Sequence, residues 1–515
     1  MNGAECLLRT LLAGGVDTCF MNPGTSEMQF VSALDRVPAM RGVLCLFESV
    51  CAGAADGYAR MLHRPAATLL HLGPGLGNAI SNLHNARKAR SPVVNIVGQH
   101  STQHLRYDAP LTADIESIAR SVSGWVKSVE HAAGMGRDAS AAVRAACTPP
   151  GQVASLIVPA DFSWSDAGDP APPLPVPARA VPDATRIRYA AAALRSGEPA
   201  ALLLGGSALL GGALHAAGQI AAATRARVFA GRYLARVECA GGRFTPPRLP
   251  YFPEPAEAAL AGLKHLILVE SPPPISFFGY PGRRSYLAPD DCAVHTLAAL
   301  DEDGAAALAA LLRECTAASC DPPPATHAAP ELPHGAPLTP ETIGRALAVL
   351  MPPHTIISEE AVSSGEAILR QLAPAAAFDH LPVTGGSIGQ GLPVALGAAV
   401  ACPGRKVIAL EADGSGMYSL QALWTMARER LDVVTIIMAN RRYRILDIEM
   451  QRTGAGAPGP AADAMLDLHR PELDWIKLAE GQGVEAARAQ TADEFIQKFR
   501  YAVERSGPYL IEAVL

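Results

Sequence analysis

The sequence has no Cys-x-x-Cys pair and no Cys/His cluster at zinc-ligand spacing. Its ten cysteines are scattered, which points away from both a metal knuckle and a disulfide framework and towards small buried hydrophobes. No uninterrupted apolar run reaches the ~20 residues needed to span a bilayer. The opening segment, Met1-Asn2-Gly3-Ala4-Glu5-Cys6, carries no basic stretch ahead of its short apolar one. A cytoplasmic protein with no membrane partner is therefore expected. A dense basic stripe is missing too: 43 Lys+Arg stand against 49 Asp+Glu for a net charge of -6, so nucleic acid is not expected as a partner.

What is present reads as globular material, with 49% hydrophobic and 18% charged residues. A chain of 515 residues is too long for one core and suggests roughly three units. Two Pro-rich stretches, from about Asp166 to Asp183 and from Asp321 to Pro340, favour extended linkers over packed elements. They set off expected domains at 1–165, 184–320 and 338–515. Each part alternates short apolar or β-branched runs with Ala-rich stretches, the pattern of parallel βαβ units. Strands are expected near Val16–Phe20, Val43–Phe47, Ala67–Leu72 and Val93–Val97, then Ala200–Leu204, Arg227–Phe229 and His265–Val269, and finally His354–Ile357, Lys406–Leu410, Val433–Met438 and Tyr509–Ala513. The fold class is thus α/β, with three open parallel-sheet domains.

In the last third, the strand ending at Ala412 leads into Asp413-Gly414-Ser415, a helix is expected at about Ser419–Arg430, and the next strand ends at Asn440, 27 residues after Asp413. One βαβ unit fits that interval and places Asp413 and Asn440 at the same sheet edge. Ligands of open α/β sheets bind beyond the carboxyl ends of strands. A carboxylate, an amide oxygen and a backbone carbonyl suit Mg²⁺, which shares its remaining positions with phosphate and water. A bare Asp-Gly-Ser turn is also common as structure alone.

The run Ala412-Asp413-Gly414-Ser415 followed by Asn440 resembles the thiamine diphosphate (ThDP) motif that begins Gly-Asp-Gly-Ser and ends Asn-Asn, with Ala412 and Ala439 in place of the leading Gly and the first Asn. The segment from Tyr418 to Thr425 also resembles benzoylformate decarboxylase and acetolactate synthase-like proteins. The resemblance implies three domains that bind the pyrimidine, lie centrally, and bind the diphosphate. It implies Mg²⁺ held by Asp413, the Asn440 side chain and the Arg442 carbonyl, with Gly414 and Ser415 beside the diphosphate.

ThDP chemistry needs a carboxyl group on the aminopyrimidine, in an apolar setting that favours its neutral form. Glu48 fits, coming after Val43-Leu44-Cys45-Leu46-Phe47 and before a small-residue helix that runs through Ala55-Asp56-Gly57-Tyr58-Ala59, as the family writes it. A carboxylate capping a helix N-terminus is the plainer alternative. His71 ends the next strand, and the resemblance gives it proton handling on the substrate; a structural His is the other reading. The Gly73-Pro74-Gly75-Leu76-Gly77 run lacks dinucleotide-motif spacing and reads as the family's Gly-Pro-Gly loop. The turn Asn22-Pro23-Gly24-Thr25-Ser26-Glu27 resembles a substrate-side loop of that family, and the resemblance gives Thr25 a hydrogen bond to the substrate carboxylate. In Thr384-Gly385-Gly386-Ser387-Ile388-Gly389-Gln390-Gly391 the resemblance gives Gly386 the carbonyl that meets the pyrimidine amino group, and Ile388 the wedge between the cofactor's rings.

The reaction so implied is cleavage of a small 2-oxo acid, with loss of CO₂ to leave an enamine. Protonation of that enamine then gives an aldehyde, whereas its attack on a second carbonyl compound gives a carboligation product. Where benzoylformate decarboxylase has a second active-site His, the stretch Ser276-Phe277-Phe278-Gly279-Tyr280-Pro281 offers only Phe or Tyr. That favours an acetolactate synthase-like carboligase over a simple decarboxylase. The basic run Arg441-Arg442-Tyr443-Arg444 reads equally as an anion contact or a solvated face. FAD is compatible with the Gly205-Gly206-Ser207 turn, but nothing else in the sequence supports it. The resemblance implies a homodimer or homotetramer with active sites at the subunit interface.

Overall fold

The computed structural model describes residues 1–316 and 328–515, so the Pro322-Pro323-Pro324 run of the second linker lies outside the described residues. The first linker behaves as its composition dictates, with neither helix nor strand between Trp164 and Ala184. Proline lacks the N–H that either element requires.

Among the described residues the strands form three sheets. The first holds β1 Thr18–Asn22, β2 Arg41–Leu44, β3 Ala66–Leu70, β4 Val93–Gln99, β5 Trp125–Ser128 and β6 Val153–Pro159, in the order β2-β1-β3-β4-β6-β5. The middle of the chain supplies β7 Ala200–Leu204, β8 Arg227–Ala230, β9 Val237–Cys239, β10 His265–Val269 and β11 Ala293–Ala298, of which four build the sheet β11-β10-β7-β8. The last sheet, β16-β17-β15-β14-β12-β13-β9, uses β12 Thr355–Glu360, β13 Phe378–Pro382, β14 Val407–Ala412, β15 Val433–Ala439, β16 Glu485–Ala489 and β17 Tyr509–Val514. The expected parallel α/β sheets are present.

One pairing departs from that pattern. Strand β9 leaves the middle of the chain and joins the edge of the last sheet antiparallel to β13, with Glu238 opposite Asp379. Arg236 fastens the junction through Asp379 at 2.7 Å. Three residues are too few to show an alternating pattern, and the sequence gives no hint of it. The strand expected at Val43–Phe47 ends instead at Leu44, because Phe47, in extended backbone, is already the N-cap of the helix that Glu48 begins.

The helix Glu48–Leu62 lies against the helix Gly391–Ala401, and small residues set how closely they approach. A Cβ on Gly57 would sit 2.2 Å from the Val394 carbonyl oxygen, and one on Gly397 1.9 Å from that of Ala54. A single apolar core, including Val50, Ala54, Leu392, Leu396, Val407 and Trp475, therefore runs through the first and last sheets. Within this contact Asp56 and Arg60 form a fully buried ion pair at 2.5 Å. Both partners reach across to the last domain. Asp56 accepts from Gln390 at 2.8 Å, while Arg60 donates to the Pro382 carbonyl at 2.9 Å and to the Thr384 hydroxyl at 3.0 Å.

Removing one member of a buried ion pair strands the other, at a cost of about 3–5 kcal/mol. Arg60→Leu is expected to lower stability by that amount in urea unfolding followed by circular dichroism. An unchanged midpoint would show that the pair carries no such load.

Candidate active site

The sequence-selected residues fall into two groups on different sheets. The first gathers at the carboxyl ends of β1 and β3. Glu48 is buried in the first turn of its helix, and Asn78 donates to its Oε2 at 3.0 Å. The Gly73–Gly77 run, expected as a loop, is instead the first turn of the helix Leu72–Ala89. Gly75 leaves room for that carboxyl, since a Cβ there would lie a tight 3.3 Å from Glu48 Oε1. Leu72 enters this helix with a left-handed φ of 51°, the kind of backbone strain found at ligand sites.

His71 is the N-cap of the same helix, and its Nδ1 lies 2.8 Å from Glu27 Oε2. The Gly24 N–H donates to the same oxygen at 2.8 Å. A side chain at Gly24 would drive into the imidazole, 2.2 Å away, so the turn and the ring interlock. Burial raises the Glu27 carboxyl above its ordinary range, against the opposing pull of His71 and the Gly24 N–H. Sequence reasoning quoted Glu27 inside the Asn22–Glu27 turn but gave it no part. Its signal was a carboxylate three residues beyond Gly24, at capping-box distance. Thr25 is exposed at the start of this turn.

The second group stands at the ends of β14 and β15, where Ala412 lies opposite Met438. Asp413 begins a short helix and is buried, and its oxygens accept from the backbone N–H of Gly414 at 2.9 Å and of Arg441 at 2.5 Å. Burial nonetheless pushes its carboxyl up to about 6. A neighbouring cation would relieve such a charge. Asn440 Oδ1 accepts from the Arg442 N–H at 2.9 Å, and the Arg442 carbonyl accepts from the Arg444 N–H at 2.8 Å. Arg442 forks onto Asp447 and Asp463, and Arg441 pairs with Glu472, so much of the basic run is neutralised from within the domain. A Cβ on Gly414 would meet the Tyr443 ring at 2.4 Å.

Between the groups runs the Thr384–Gly391 segment. Helix Leu72–Ala89 holds its alternate carbonyls: His84 meets Gly385 at 3.1 Å, Asn85 meets Ser387 at 2.7 Å and Asn82 meets Gly389 at 3.1 Å. The Gly386 carbonyl has no hydrogen-bond partner among the described residues, and φ of 78° and 90° at Gly386 and Gly389 require glycine. Ile388 is half-buried, and Phe277 of the middle domain abuts Gly386. Beneath the segment two carboxylates that the sequence did not single out, Glu360 and Glu411, face each other across β12 and β14. Glu360 accepts from Gly389 N–H at 2.9 Å and Gly391 N–H at 2.6 Å, and burial pushes it up to about 7 despite these bonds. Burial, with the charge of Glu360 added, raises Glu411 further, and Ser415 donates its hydroxyl to it.

Among the described residues no hydrogen bond or ion pair joins the Glu48 group to the Asp413 group within the chain. No group of three or more His, Cys, Asp or Glu residues that could hold a metal ion occurs among them. No helix is long and apolar enough to cross a membrane among those residues.

Comparison with known proteins agrees with this division. Residues 1–118 match the thiamine pyrophosphate enzyme N-terminal TPP binding domain, and residues 366–513 the C-terminal TPP binding domain of the same enzymes. Over 100% of the chain and 99% of the relative, the sequence is 50% identical to a Mycobacterium tuberculosis protein described as "Putative acetolactate synthase large subunit IlvX". It is 30% identical to benzoylformate decarboxylase of Pseudomonas aeruginosa, covering 97% of this chain and 96% of that one. A Rhodococcus jostii RHA1 thiamine diphosphate-dependent 4-hydroxybenzoylformate decarboxylase superposes with a TM-score of 0.87 at 26% identity, covering 99% and 98% of the two chains. With both cofactor-binding domains matched and relatives aligned from end to end, the chain belongs to the thiamine diphosphate-dependent enzyme family.

Proposed function

We propose that this enzyme uses ThDP and Mg²⁺ to cleave a small 2-oxo acid with loss of CO₂ and to join the remaining acyl unit to a second carbonyl compound, as acetolactate synthases do. The observation that carries this reading is the full-length 50% identity to the acetolactate synthase-like relative, joined to a middle-domain stretch that offers Phe277 and Phe278 in place of a proton-donating His. Simple decarboxylation to an aldehyde is the second reading, favoured by the end-to-end likeness to benzoylformate decarboxylase. A cytoplasmic location accords with either.

When bound, the cofactor supplies the nucleophile and the electron sink. The chain's residues do the rest. Glu48, oriented by Asn78, would share a proton with the cofactor's pyrimidine. The free Gly386 carbonyl would accept from its amino group, and Ile388 would pack against the cofactor. Asp413, the Asn440 amide oxygen and the Arg442 carbonyl would hold Mg²⁺, with Gly414 and Ser415 beside the diphosphate. The raised Asp413 carboxyl fits this group, because a cation restores its charged form. His71, aligned by Glu27, holds or moves a proton on the substrate oxygen, and Thr25 hydrogen-bonds the substrate carboxylate.

FAD does not fit in the same way. The Gly205-Gly206-Ser207 turn borders a cavity of about 810 Å³, but its donors are taken by the buried Glu270 carboxylate. Glu270 accepts from Ser207 N–H at 2.9 Å, Ser207 hydroxyl at 2.5 Å and Gly304 N–H at 2.8 Å. A diphosphate at this turn would meet a carboxylate of its own sign. The purified protein is expected to show no flavin absorbance and no binding of added FAD by calorimetry; a yellow preparation would refute this.

Glu48→Gln is expected to keep ThDP affinity and lose about 10²–10⁴-fold in turnover, measured as CO₂ release from a panel of 2-oxo acids with product analysis. Near-normal turnover would remove the central assignment.

Because the two groups do not meet within one chain, the reading includes a homodimer, or a pair of dimers, in which the Glu48 side of one subunit faces the Asp413 side of its partner. Each isologous dimer then has two equal sites. Asp413→Ala is expected to abolish Mg²⁺-dependent ThDP retention, and mixing it with Glu48→Gln subunits is expected to restore activity, since one site of each heterodimer escapes both lesions. No recovery despite proven subunit exchange, or full activity in a strict monomer, would contradict the shared site.

A further inference from the structure

Three imidazoles gather at one edge of the first sheet. Strands β3 and β4 run parallel with Leu70 opposite Val97, so His71 and the Gly98–His100 end of β4 emerge side by side. Glu27 fills the space between them. One of its oxygens holds His71, and the other lies so close over Gly98 that a Cβ there would approach to 1.7 Å. His100 comes two residues later, its ring centroid 5.4 Å from that of His104. His104 is exposed and lies 5.9 Å from Tyr107, whose ring carries the Arg106 guanidinium at 4.7 Å. The loop is pinned, since Thr102 donates its N–H and hydroxyl to Asp161 at 2.9 and 2.5 Å and the His100 N–H is held by its neighbour Gln99.

The His100 ring has no structural task to account for it. Its Nε2 is buried with no hydrogen-bond partner among the described residues, and a buried polar atom left unpaired is costly unless something occupies it in the working state. The titratable and charged groups around it are His71 and Glu27 from the neighbouring elements, Asp161 from the helix Ala160–Trp164, and His104 and Arg106 on its own loop. Burial, followed by His104 and His71, holds the His100 pKa below the ordinary imidazole value. The ring is therefore neutral near pH 7 and has both a donor and an acceptor to offer.

We propose that His100 is the second imidazole of the active site, a positioning and proton-transfer partner of His71 that connects it through His104 to solvent. This rests on the reading of His71 given under Proposed function. A proton taken by His71 from a substrate hydroxyl passes by way of His100 and His104 to water, and one needed on the substrate returns along the same path. No electrons move, and the protein ends each cycle with the protons it began with. Where the rings do not touch, the proposed path runs through a bridging water. The imidazole missing from the Ser276–Pro281 stretch of the middle domain thus has a counterpart on the opposite wall, supplied by the first domain.

The test has one arm independent of turnover. In full-length protein with isotope-labelled histidine, the His100 titration midpoint should rise in both His71→Gln and His104→Gln, because each substitution removes a neighbour that depresses it. A midpoint unmoved in both variants overturns the proposal. His104→Gln lies at an exposed position, so this arm does not hinge on a fragile fold. In the second arm, His100→Gln should lower kcat on the order of 10²-fold and displace the acidic limb of the pH profile, with KM and ThDP affinity unchanged. A folded His100→Gln enzyme with the wild-type pH profile also overturns it. If wild-type protein turns over no 2-oxo acid at all, the functional reading fails, and the titration arm still decides whether the imidazoles are coupled.

Discussion

The buried pair Asp56–Arg60 is the constraint on which the site depends. It sits in the contact between two helices that glycine and alanine bring close together, where both side chains are buried. In such a place two charges are tolerated only when every remaining donor and acceptor is used. Gln390, Thr384, Ser91 and the Pro382 carbonyl meet that demand. Three of those four belong to the stretch 382–390, so satisfying the charges also fixes the start of the glycine-rich segment against the first domain. The Asn82, His84 and Asn85 side chains then fix its interior. The free Gly386 carbonyl is what remains after this anchoring.

Carboxylates in this protein are sorted by their surroundings. Asp413 lies under two backbone N–H groups and yet is held up by burial. Glu360 and Glu411 face each other under the glycine-rich segment, where both cannot comfortably be charged at once. Glu270 spends its charge within the fold, filling a nest of donors that in other α/β proteins would face a phosphate. Glu27 stands between these cases, buried but wedded to an imidazole. The same functional group thus stands as a raised carboxyl at a strand end, loop support, internal anion and imidazole clamp, according to which donors the backbone brings within reach.

Much of this was legible because it is contiguous. Asp413-Gly414-Ser415 and Asn440 flank one βαβ unit, and Glu48 opens a helix whose small residues are a packing requirement visible in the sequence itself. Apolar runs marked eleven of the strands, whereas β6, β11 and β13 lie outside those expected, as do β5 and β16, which carry Lys127 and Arg488 at sheet edges. What was not legible depends on contacts between distant segments. Glu27 and His71 are joined by neighbouring strand ends rather than by spacing, and β3 and β4 likewise set His71 and His100 at adjacent strand ends. The occupied nest at Gly205–Ser207 is closed from β10, so its glycines look the same from the sequence whether they cradle a phosphate or a carboxylate. The Gly73–Gly77 run misled for a related reason: Gly73 lies against Ala113 and Gly75 beside the carboxyl group of Glu48, contacts with distant segments that a helix makes as well as a loop does.

Strand β9 ties together the order in which the protein can be completed. The last sheet ends on three residues, Val237–Cys239, that the ribosome delivers long before β13 exists. Until then they must wait unpaired at the border of the middle domain, and the finished edge of the last sheet is sealed by residues foreign to its own domain. The C-terminal domain therefore matures on a template already laid down upstream. An isolated copy of that domain would carry a raw strand edge at β13, ready to pair with the first extended chain it met.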